Sequence, residues 1–350
     1  MNRRTFIKTA ALCSAGSLLV HCERSRKPNV ILLITDDQGY GDLGCHGNPH
    51  VKTPNLDQLY NESLRLTDFH VGPTCAPTRA SLMTGRYCNR TGVWHTVMGR
   101  SLLRSDEVTM ADVFAQNGYK TGMFGKWHLG DSYPFRPEQR GFQTTTEHGG
   151  GGIGQLPDYW GNDYFDDTYR VNGELRDFEG YCTDVWFDEA IKFIQSAGDQ
   201  PFFCYLSTNA PHGPFHIDPE YSDPYLEKGI PPARARFYGM VENIDDNVAK
   251  LRRFLQQQNL AEHTLLIYMT DNGSSAGVDV DENEYAVNGY NCGMRGKKGS
   301  AYDGGHRVPC FIHWPDGGFT TGRDIRQLSA HIDLLPTLID LCGLVKPDIK

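Results

Sequence analysis

The stretch Asn29 to Thr35, NVILLIT, is an unbroken apolar run rich in β-branched residues. A strand wetted on one face would alternate apolar with polar residues; this one does not, so both of its faces must be covered. Cover on two sides is the property of a parallel sheet with helices packed on each face. The rest of the chain alternates accordingly. Pro54 to Leu64 has helical spacing in Leu56, Leu59 and Leu64, with Thr53 as N-cap and Pro54 at the first position. Leu66 to His70 reads as a short strand, Thr109 to Gln116 as a helix stopped by Asn117-Gly118, and Tyr119 to Phe124 as a strand. Asp184 to Ser196 is helical, Phe202 to Ser207 is a strand, and Arg234 to Gln257 is a long amphipathic helix. Strands at Thr264 to Met269 and Pro309 to Trp314 and a helix at Asp333 to Leu341 complete the series. The predicted class is α/β, a mostly parallel central sheet with helices on both faces. The Gly-, Asp- and Tyr-rich middle, Tyr133 to Gly180, is expected to form long surface loops.

Ligands in such sheets bind beyond the carboxyl ends of the strands. Asp36-Asp37, Lys126 with His128, His212, and Asp271-Asn272 each follow a predicted strand at that end. Any one of them alone is an ordinary turn or cap; their shared edge argues for a site. Asp36, Asp37, Asp271 and Asn272 offer only oxygen ligands, a set that favours a hard cation such as Ca2+ or Mg2+ over zinc or copper. His128 and His212 are candidates for proton transfer. Asp279, Asp281 and Asn283 imitate the start of an EF-hand, but Glu284 stands where that loop needs glycine and Tyr290 where it needs the final glutamate.

Between these clusters lies Gly72 to Arg86, GPTCAPTRASLMTGR. If Pro77 and Thr78 open a helix, Cys75 sits at its positive end with Arg79 one turn along on the same face. The arginine would then lower the pKa of the thiol and favour a nucleophilic thiolate. The alternative is a buried cysteine in a turn.

Cys75-Ala76-Pro77-Thr78-Arg79 followed by Thr84-Gly85-Arg86 resembles the C-x-P-x-R signature of the type I sulfatases, within the alkaline phosphatase superfamily. The likeness runs from about Asn29 onward. It includes Gly125-Lys126-Trp127-His128, Ala210-Pro211-His212-Gly213-Pro214, and Tyr302-Asp303-Gly304-Gly305-His306-Arg307-Val308-Pro309, where the family has Glu for Asp303. The resemblance implies that Cys75 is oxidised to formylglycine (3-oxoalanine) by a maturation enzyme, and that its hydrate is the nucleophile. It implies a Ca2+ site, occasionally Mg2+, formed by Asp36, Asp37, Asp271, Asn272 and the oxygen on residue 75. Arg79 would hold the hydrate, Lys126 and Lys298 the sulfate oxygens, and His128 the hydrate hydroxyl. His212 would protonate the departing alcohol, and the second hydroxyl would then expel sulfate. Lys297 stands where the family usually has glycine; register favours Lys298 as the contact. Sulfated carbohydrate is the expected substrate, with Tyr159, Trp160, Tyr164 and Phe165 as candidates to stack on sugar rings and His216 as a further lining residue.

The chain of 350 residues carries a formal charge of -9 and no basic run, which argues against nucleic acid as a partner. Residues 2–8, NRRTFIK, resemble a twin-arginine export signal, followed by an apolar run too short to span a bilayer. It ends at Leu19-Val20-His21-Cys22, a loose likeness to a lipoprotein cleavage box that offers Cys22 as a lipid anchor. The expected organisation is an export signal at 1–22 and a catalytic domain at 28–350, exported to the periplasm or cell surface. The small C-terminal subdomain usual in sulfatases has no counterpart, so the domain is expected to be truncated. Of the 10 cysteines, those outside the signal and the Cys75 motif show no framework spacing, so no disulfide scaffold is expected. Two other functions remain open on the sequence. A phosphonate monoester or phosphodiester hydrolase would share the fold and the C-x-P-x-R motif. A non-catalytic binder of sulfated glycans would keep the cations without maturing Cys75.

Overall fold

The computed structural model describes residues 27–346. The predicted export signal and Cys22 lie outside the described residues.

The strands are β1 (Asn29–Thr35), β2 (Leu64–Leu66), β3 (Phe69–His70), β4 (Lys120–Lys126), β5 (Thr144–His148), β6 (Thr168–Val171), β7 (Glu174–Asp177), β8 (Phe202–Ser207), β9 (Thr264–Thr270), β10 (Val278–Val280), β11 (Ala286–Gly289), β12 (Cys310–His313), β13 (Arg323–Ile325) and β14 (Ser329–Ala330). The helices are α1 (Pro54–Asn61), α2 (Cys75–Thr84), α3 (Met110–Gln116), α4 (Cys182–Ala197), α5 (Pro219–Leu226), α6 (Pro232–Gln257), α7 (Asp303–His306) and α8 (Leu334–Leu341). The main sheet has the order β13-β2-β12-β9-β1-β8-β4-β5-β6-β7. Its centre, β9-β1-β8-β4-β5, is parallel, while β12, β2, β6 and β7 bring antiparallel pairings to the flanks.

The apolar run of β1 explains itself once the layers are seen. Val30, Leu32 and Ile34 face a core shared with α2, α3 and α8, while Ile31 and Leu33 face a second core shared with α1, α4 and α6. Every residue of β1 is therefore buried, and a polar residue at any of these positions would lose its water without a partner.

Tyr133 to Gly180 is not only loop. β5 extends the parallel sheet beside β4, and β6 and β7 form a hairpin at its edge. Two signals for these strands stand in the sequence. Thr144-Thr145-Thr146 is a β-branched run, and Asn172-Gly173 is a two-residue hairpin turn with both residues left-handed, φ 49° and 90°. The strand expected at Leu66 to His70 is two short strands, β2 and β3, and α5 and the β10–β11 hairpin are additional elements. Thr53 stands at the start of α1, but its hydroxyl accepts from Gly44 N at 2.8 Å and donates to Asp57, so it does not cap the helix. The EF-hand-like acids fall on the β10–β11 hairpin, where Asp281 accepts from the Asn283 and Tyr285 amides at 2.9 Å.

Gly125, one residue before the end of β4, has φ 104°, and a Cβ there would lie 2.0 Å from the Ser207 carbonyl oxygen. Gly118 is also left-handed, at φ 81°, but faces open space. Gly118→Ala should cost about 1 kcal/mol from backbone strain alone, and Gly125→Ala about 3 kcal/mol or more, because β4 must also separate from β8. Urea unfolding of the two variants reads the difference; equal losses would mean that contact with Ser207 does not set the glycine requirement.

Candidate active site

Sheet register assembles the site. Thr35 of β1 pairs with Thr270 of β9, so the next residues, Asp36 and Asp271, leave the sheet side by side. Ser207 of β8 pairs with Ile34 on one side and Gly125 on the other, which brings Lys126 and the segment after β8 to the same level. The predicted strand-end clusters therefore share one carboxyl edge. α2 points its first residue, Cys75, into this edge. Sγ of Cys75 and carboxylate oxygens of Asp36 and Asp271 lie within 4.8 Å of one another, all buried.

The helix begins at Cys75 itself, earlier than Pro77 and Thr78 suggest. Arg79, one turn on, is fully buried and donates to Asp271 Oδ2 through Nη2 at 2.8 Å and Nε at 3.2 Å. Its Nη1 donates to the Lys126 carbonyl at 3.2 Å and to Ser207 Oγ. Lys126 Nζ pairs with Asp36, and Lys298 Nζ with Asp37 at 2.6 Å. It is thus Lys298 that turns into the site, as register suggested. Asn272 Nδ2 donates to Asp37 Oδ1 at 2.9 Å, and the Asp37 amide donates to Asp271 Oδ1 at 3.1 Å.

Burial raises the Asp36 carboxyl well above the ordinary range; neighbouring Asp271 and Asp37 add to this, while Lys126 and Arg79 oppose it. Burial acts on Asp37 in the same direction, but His212, Lys298 and Lys126 outweigh it and hold the group below its usual value. Asp271 is likewise lowered, because Arg79 and Lys126 overcome its burial.

The Cys75 thiol corrects the sequence expectation. Burial pushes it up to about 11, and the Asp36 and Asp271 charges oppose the help that Lys126 and Lys298 provide. Arg79, paired with Asp271 at 2.8 Å, does not overcome that burial. An unmodified Cys75 is a protonated, weakly nucleophilic group at neutral pH.

His212 has Nδ1 against the Gly213 carbonyl, which leaves Nε2 facing Asp37 Oδ2 at 3.7 Å. Burial lowers it to about 4 despite the Asp37 charge. His128, left-handed at φ 60°, donates Nε2–H to the Thr96 carbonyl at 2.8 Å, and its buried Nδ1 has no partner. Burial and Lys126 together hold it well below its ordinary pKa.

Three side chains at this edge escaped the sequence reading. Ser207 Oγ accepts from Arg79 and donates to the Lys126 carbonyl at 2.8 Å, and Tyr205 Oη lies 3.4 Å from Arg79 Nη1. His148 ends β5 beside Lys126, with Nδ1 2.9 Å from the Gly149 carbonyl and a buried, unpartnered Nε2. The β-branched residues before it were the available signal. Of the proposed aromatic stackers, Tyr159 and Trp160 are exposed, whereas Tyr164 is buried and donates to the His212 carbonyl at 2.9 Å. Phe165 packs against Tyr181, and His216 sits against the Asp163 carbonyl at 3.0 Å.

The oxygens here fit a hard divalent cation. Asp36 Oδ1 and Asn272 Oδ1 are buried without a hydrogen-bond partner, and the Asp37 and Asp271 carboxylates stand beside them. Among the described residues, the set around Asp36 and Asp271 takes in the Cys75 sulfur and no imidazole; the carboxylate and amide oxygens in it are the donor chemistry of calcium or magnesium.

A family model described as Sulfatase matches residues 28–344. N-acetylgalactosamine-6-sulfatase of Homo sapiens is 31% identical over 345 residues, covering 91% of this chain and 63% of that protein. Arylsulfatase A of Homo sapiens is 32% identical over 355 residues, covering 93% of this chain and 66% of that protein. A solved structure described as Ps i-CgsB in complex with k-i-k-neocarrahexaose superposes with a TM-score of 0.80 at 30% identity, covering 92% of this chain and 73% of that one. The chain spans 63% and 66% of the length of these two curated relatives. Because the match extends across nearly all of the described fold and is not confined to the segment around Cys75, the chain belongs to the sulfatase family.

Proposed function

We propose that this chain hydrolyses sulfate esters of carbohydrate, with Cys75 matured to formylglycine and a divalent cation, Ca2+ or Mg2+, held by Asp36, Asp37, Asp271 and Asn272. The observation that carries this is the set of cations at the edge where Cys75 lies, Arg79 and Lys126 buried and Lys298 half-buried. Arg79 pairs with Asp271 at 2.8 Å, Lys126 with Asp36, and Lys298 with Asp37 at 2.6 Å, and Asp36 and Asp271 share one cluster with the Cys75 sulfur. Such a pocket suits a tetrahedral anion placed against residue 75. Relatives named for galactosamine sulfate and a neighbour solved with a carrageenan oligosaccharide support sugar as the alcohol. Export, with lipid attachment at Cys22, and a partner enzyme that matures Cys75 complete the proposal.

When present, formylglycine supplies a hydrated aldehyde whose two hydroxyls serve attack and release, and the divalent cation supplies positive charge beside them. The remaining work falls to this chain's own side chains. Arg79, fixed by Asp271, Ser207 and the Lys126 carbonyl, offsets negative charge at residue 75. Lys126 and Lys298 present ammonium groups to the sulfate oxygens, and His128 has a free Nδ1 to accept a proton. His212 faces the pocket through Nε2, because Nδ1–H is occupied by the Gly213 carbonyl. The substrate's negative charge would counter the lysines and raise His212 towards the protonated form that a departing alcohol requires.

His212→Ala should therefore depend on the leaving group. Sulfate release from a sulfated oligosaccharide, whose alcohol leaves poorly, should fall about 10²–10⁴-fold, while release from 4-nitrophenyl sulfate falls less than about 10-fold. Equal losses on both substrates would remove His212 from the proton-donor role. Turnover of an aryl phosphonate with no sulfate release from either ester would overturn the sulfatase assignment.

The buried thiol gives a second test. In chain produced without the maturation enzyme, iodoacetamide at pH 8 should label half-buried Cys88 and leave Cys75 unlabelled, because Cys75 titrates near 11. In matured chain, the Cys75 peptide should react with a hydrazide. An intact thiol throughout the chain from the native host would overturn this mechanism: with no sulfate release it would leave a non-catalytic glycan binder, and with activity indifferent to Cys75→Ala a hydrolase of another mechanism.

A further inference from the structure

A second cluster of ligand-type side chains stands apart from the residues assigned above. His70 closes β3, and the backbone locks it to α7 and the segment beyond. Val71 N donates to the His306 carbonyl at 2.8 Å, Val308 N donates to the Phe69 carbonyl at 3.1 Å, and His70 bridges Arg307. The two rings meet with their Nδ1 atoms 2.9 Å apart.

The opposite nitrogen of each ring settles its tautomer. His70 Nε2 lies 2.9 Å from Asp68 Oδ1, and His306 Nε2 lies 3.1 Å from the Ala301 carbonyl. A carboxylate and a carbonyl can only accept, so each Nε2 carries the proton. With both rings neutral, the two Nδ1 lone pairs point at each other, an arrangement that repels unless a proton or a metal cation lies between them. Asp303, one turn before His306, brings a carboxylate oxygen within 4.8 Å of a ring nitrogen of each histidine. Its other charged neighbour is Arg307, whose Nη1 is 4.0 Å away and whose Nε and Nη2 serve the Thr67 carbonyl. Asp303 is therefore free to turn inward.

We propose that His70, His306 and Asp303 form a second metal site, for Zn2+, with water in the fourth position. Imidazole and carboxylate at about 2.0–2.2 Å from the ion make a tetrahedral set with one open place, and a small separation of the two rings accommodates it. Asp68 behind His70 and the Ala301 carbonyl behind His306 are the outer partners that fix ring orientation in such sites. The two imidazoles distinguish this site from the carboxylate and amide oxygens gathered at Asp36, which prefer a harder ion. The bound ion would tie the end of β3, which leads to Gly72 and Cys75, to α7. The Gly305 carbonyl of α7 accepts from Gly273 N at 2.9 Å, directly after Asn272. Its place in the fold is that of a clamp behind the active-site edge.

The test uses the full chain, stripped with EDTA, dialysed and held in excess Ca2+ so that the oxygen site is filled. Zn2+ titration followed by metal analysis should show one tightly held equivalent that His70→Gln and His306→Gln each lose, with folding checked by circular dichroism. Zn2+ should raise the melting temperature of the wild-type chain and leave both variants unchanged. Co2+ in place of Zn2+ should give the intense visible absorption of a tetrahedral site in the wild-type chain, a readout that needs no variant. Retention of the Zn2+ equivalent in both variants, or no Zn2+ bound and no cobalt spectrum in the wild type, would overturn the proposal and leave a proton shared between the two rings.

Discussion

The structure turns on a buried balance of charge at the carboxyl edge of the sheet. Asp36, Asp271, Arg79 and Lys126 are fully enclosed, and Asp37 nearly so, with Lys298 closing the set from its loop. An ion removed from water at this depth costs several kcal/mol, and only close partners offset it. Each partner is placed by something regular. Adjacent parallel strands deliver Asp36 and Asp271, β4 delivers Lys126, and one turn of α2 delivers Arg79. Once Asp271 holds Arg79 through two nitrogens, the guanidinium cannot swing, and the first turn of α2 is fixed with it. The position of Cys75 is thus a consequence of an ion pair four residues away.

The balance is uneven, and the unevenness points towards function. Asp36 is pushed up while Asp37 and Asp271 are held down, so the three carboxylates do not share the available positive charge equally. Lys126 and Lys298 are paired to these carboxylates and are also the cations that meet the anionic substrate in the proposed mechanism. Those two duties compete. A divalent ion among the oxygens, as proposed above, would take over the first duty and release both amines for the second. The buried oxygens of Asp36 and Asn272 that lack hydrogen-bond partners are where such an ion would find ligands not already in use.

What could be seen in the sequence follows the same physics. The central strands were legible because burial on both faces leaves no polar residue to confuse the pattern, and the strand-end clusters because polar residues appear abruptly when such strands stop. The edge strands β6 and β7 were not read. β7 is exposed along its whole length, so it carries no apolar signature, and only the Asn172-Gly173 turn announces the hairpin. His148 was lost with them, since its meaning depends on β5 being a strand beside Lys126. The thiol was misjudged for a different reason. Sequence spacing places Arg79 near Cys75 but is silent about Asp271, which lies 192 positions from Arg79 and claims the guanidinium. Proximity in sequence measures attraction between two groups and omits the third that competes for one of them.

Two residues at this edge hold a conformation that side chains other than glycine seldom adopt. Asp37 has φ 67° and His128 has φ 60°, each at a cost of about 1–2 kcal/mol. In both cases the left-handed turn redirects the chain just as it leaves a parallel strand. At Asp37 it points the amide to Asp271 while the carboxylate meets Lys298 and Asn272; an extended residue there would carry the side chain away from the edge. At His128 it sets Nε2 against the Thr96 carbonyl and leaves Nδ1 buried. Asp and His are among the residues that tolerate this region best. The strain is held by the cores on either side of β1 and β4, which have no slack to let the turns relax. Mutations that loosen those cores should therefore disturb the ion-pair geometry before they unfold the chain, because the turns that set it are the part of the structure already under load.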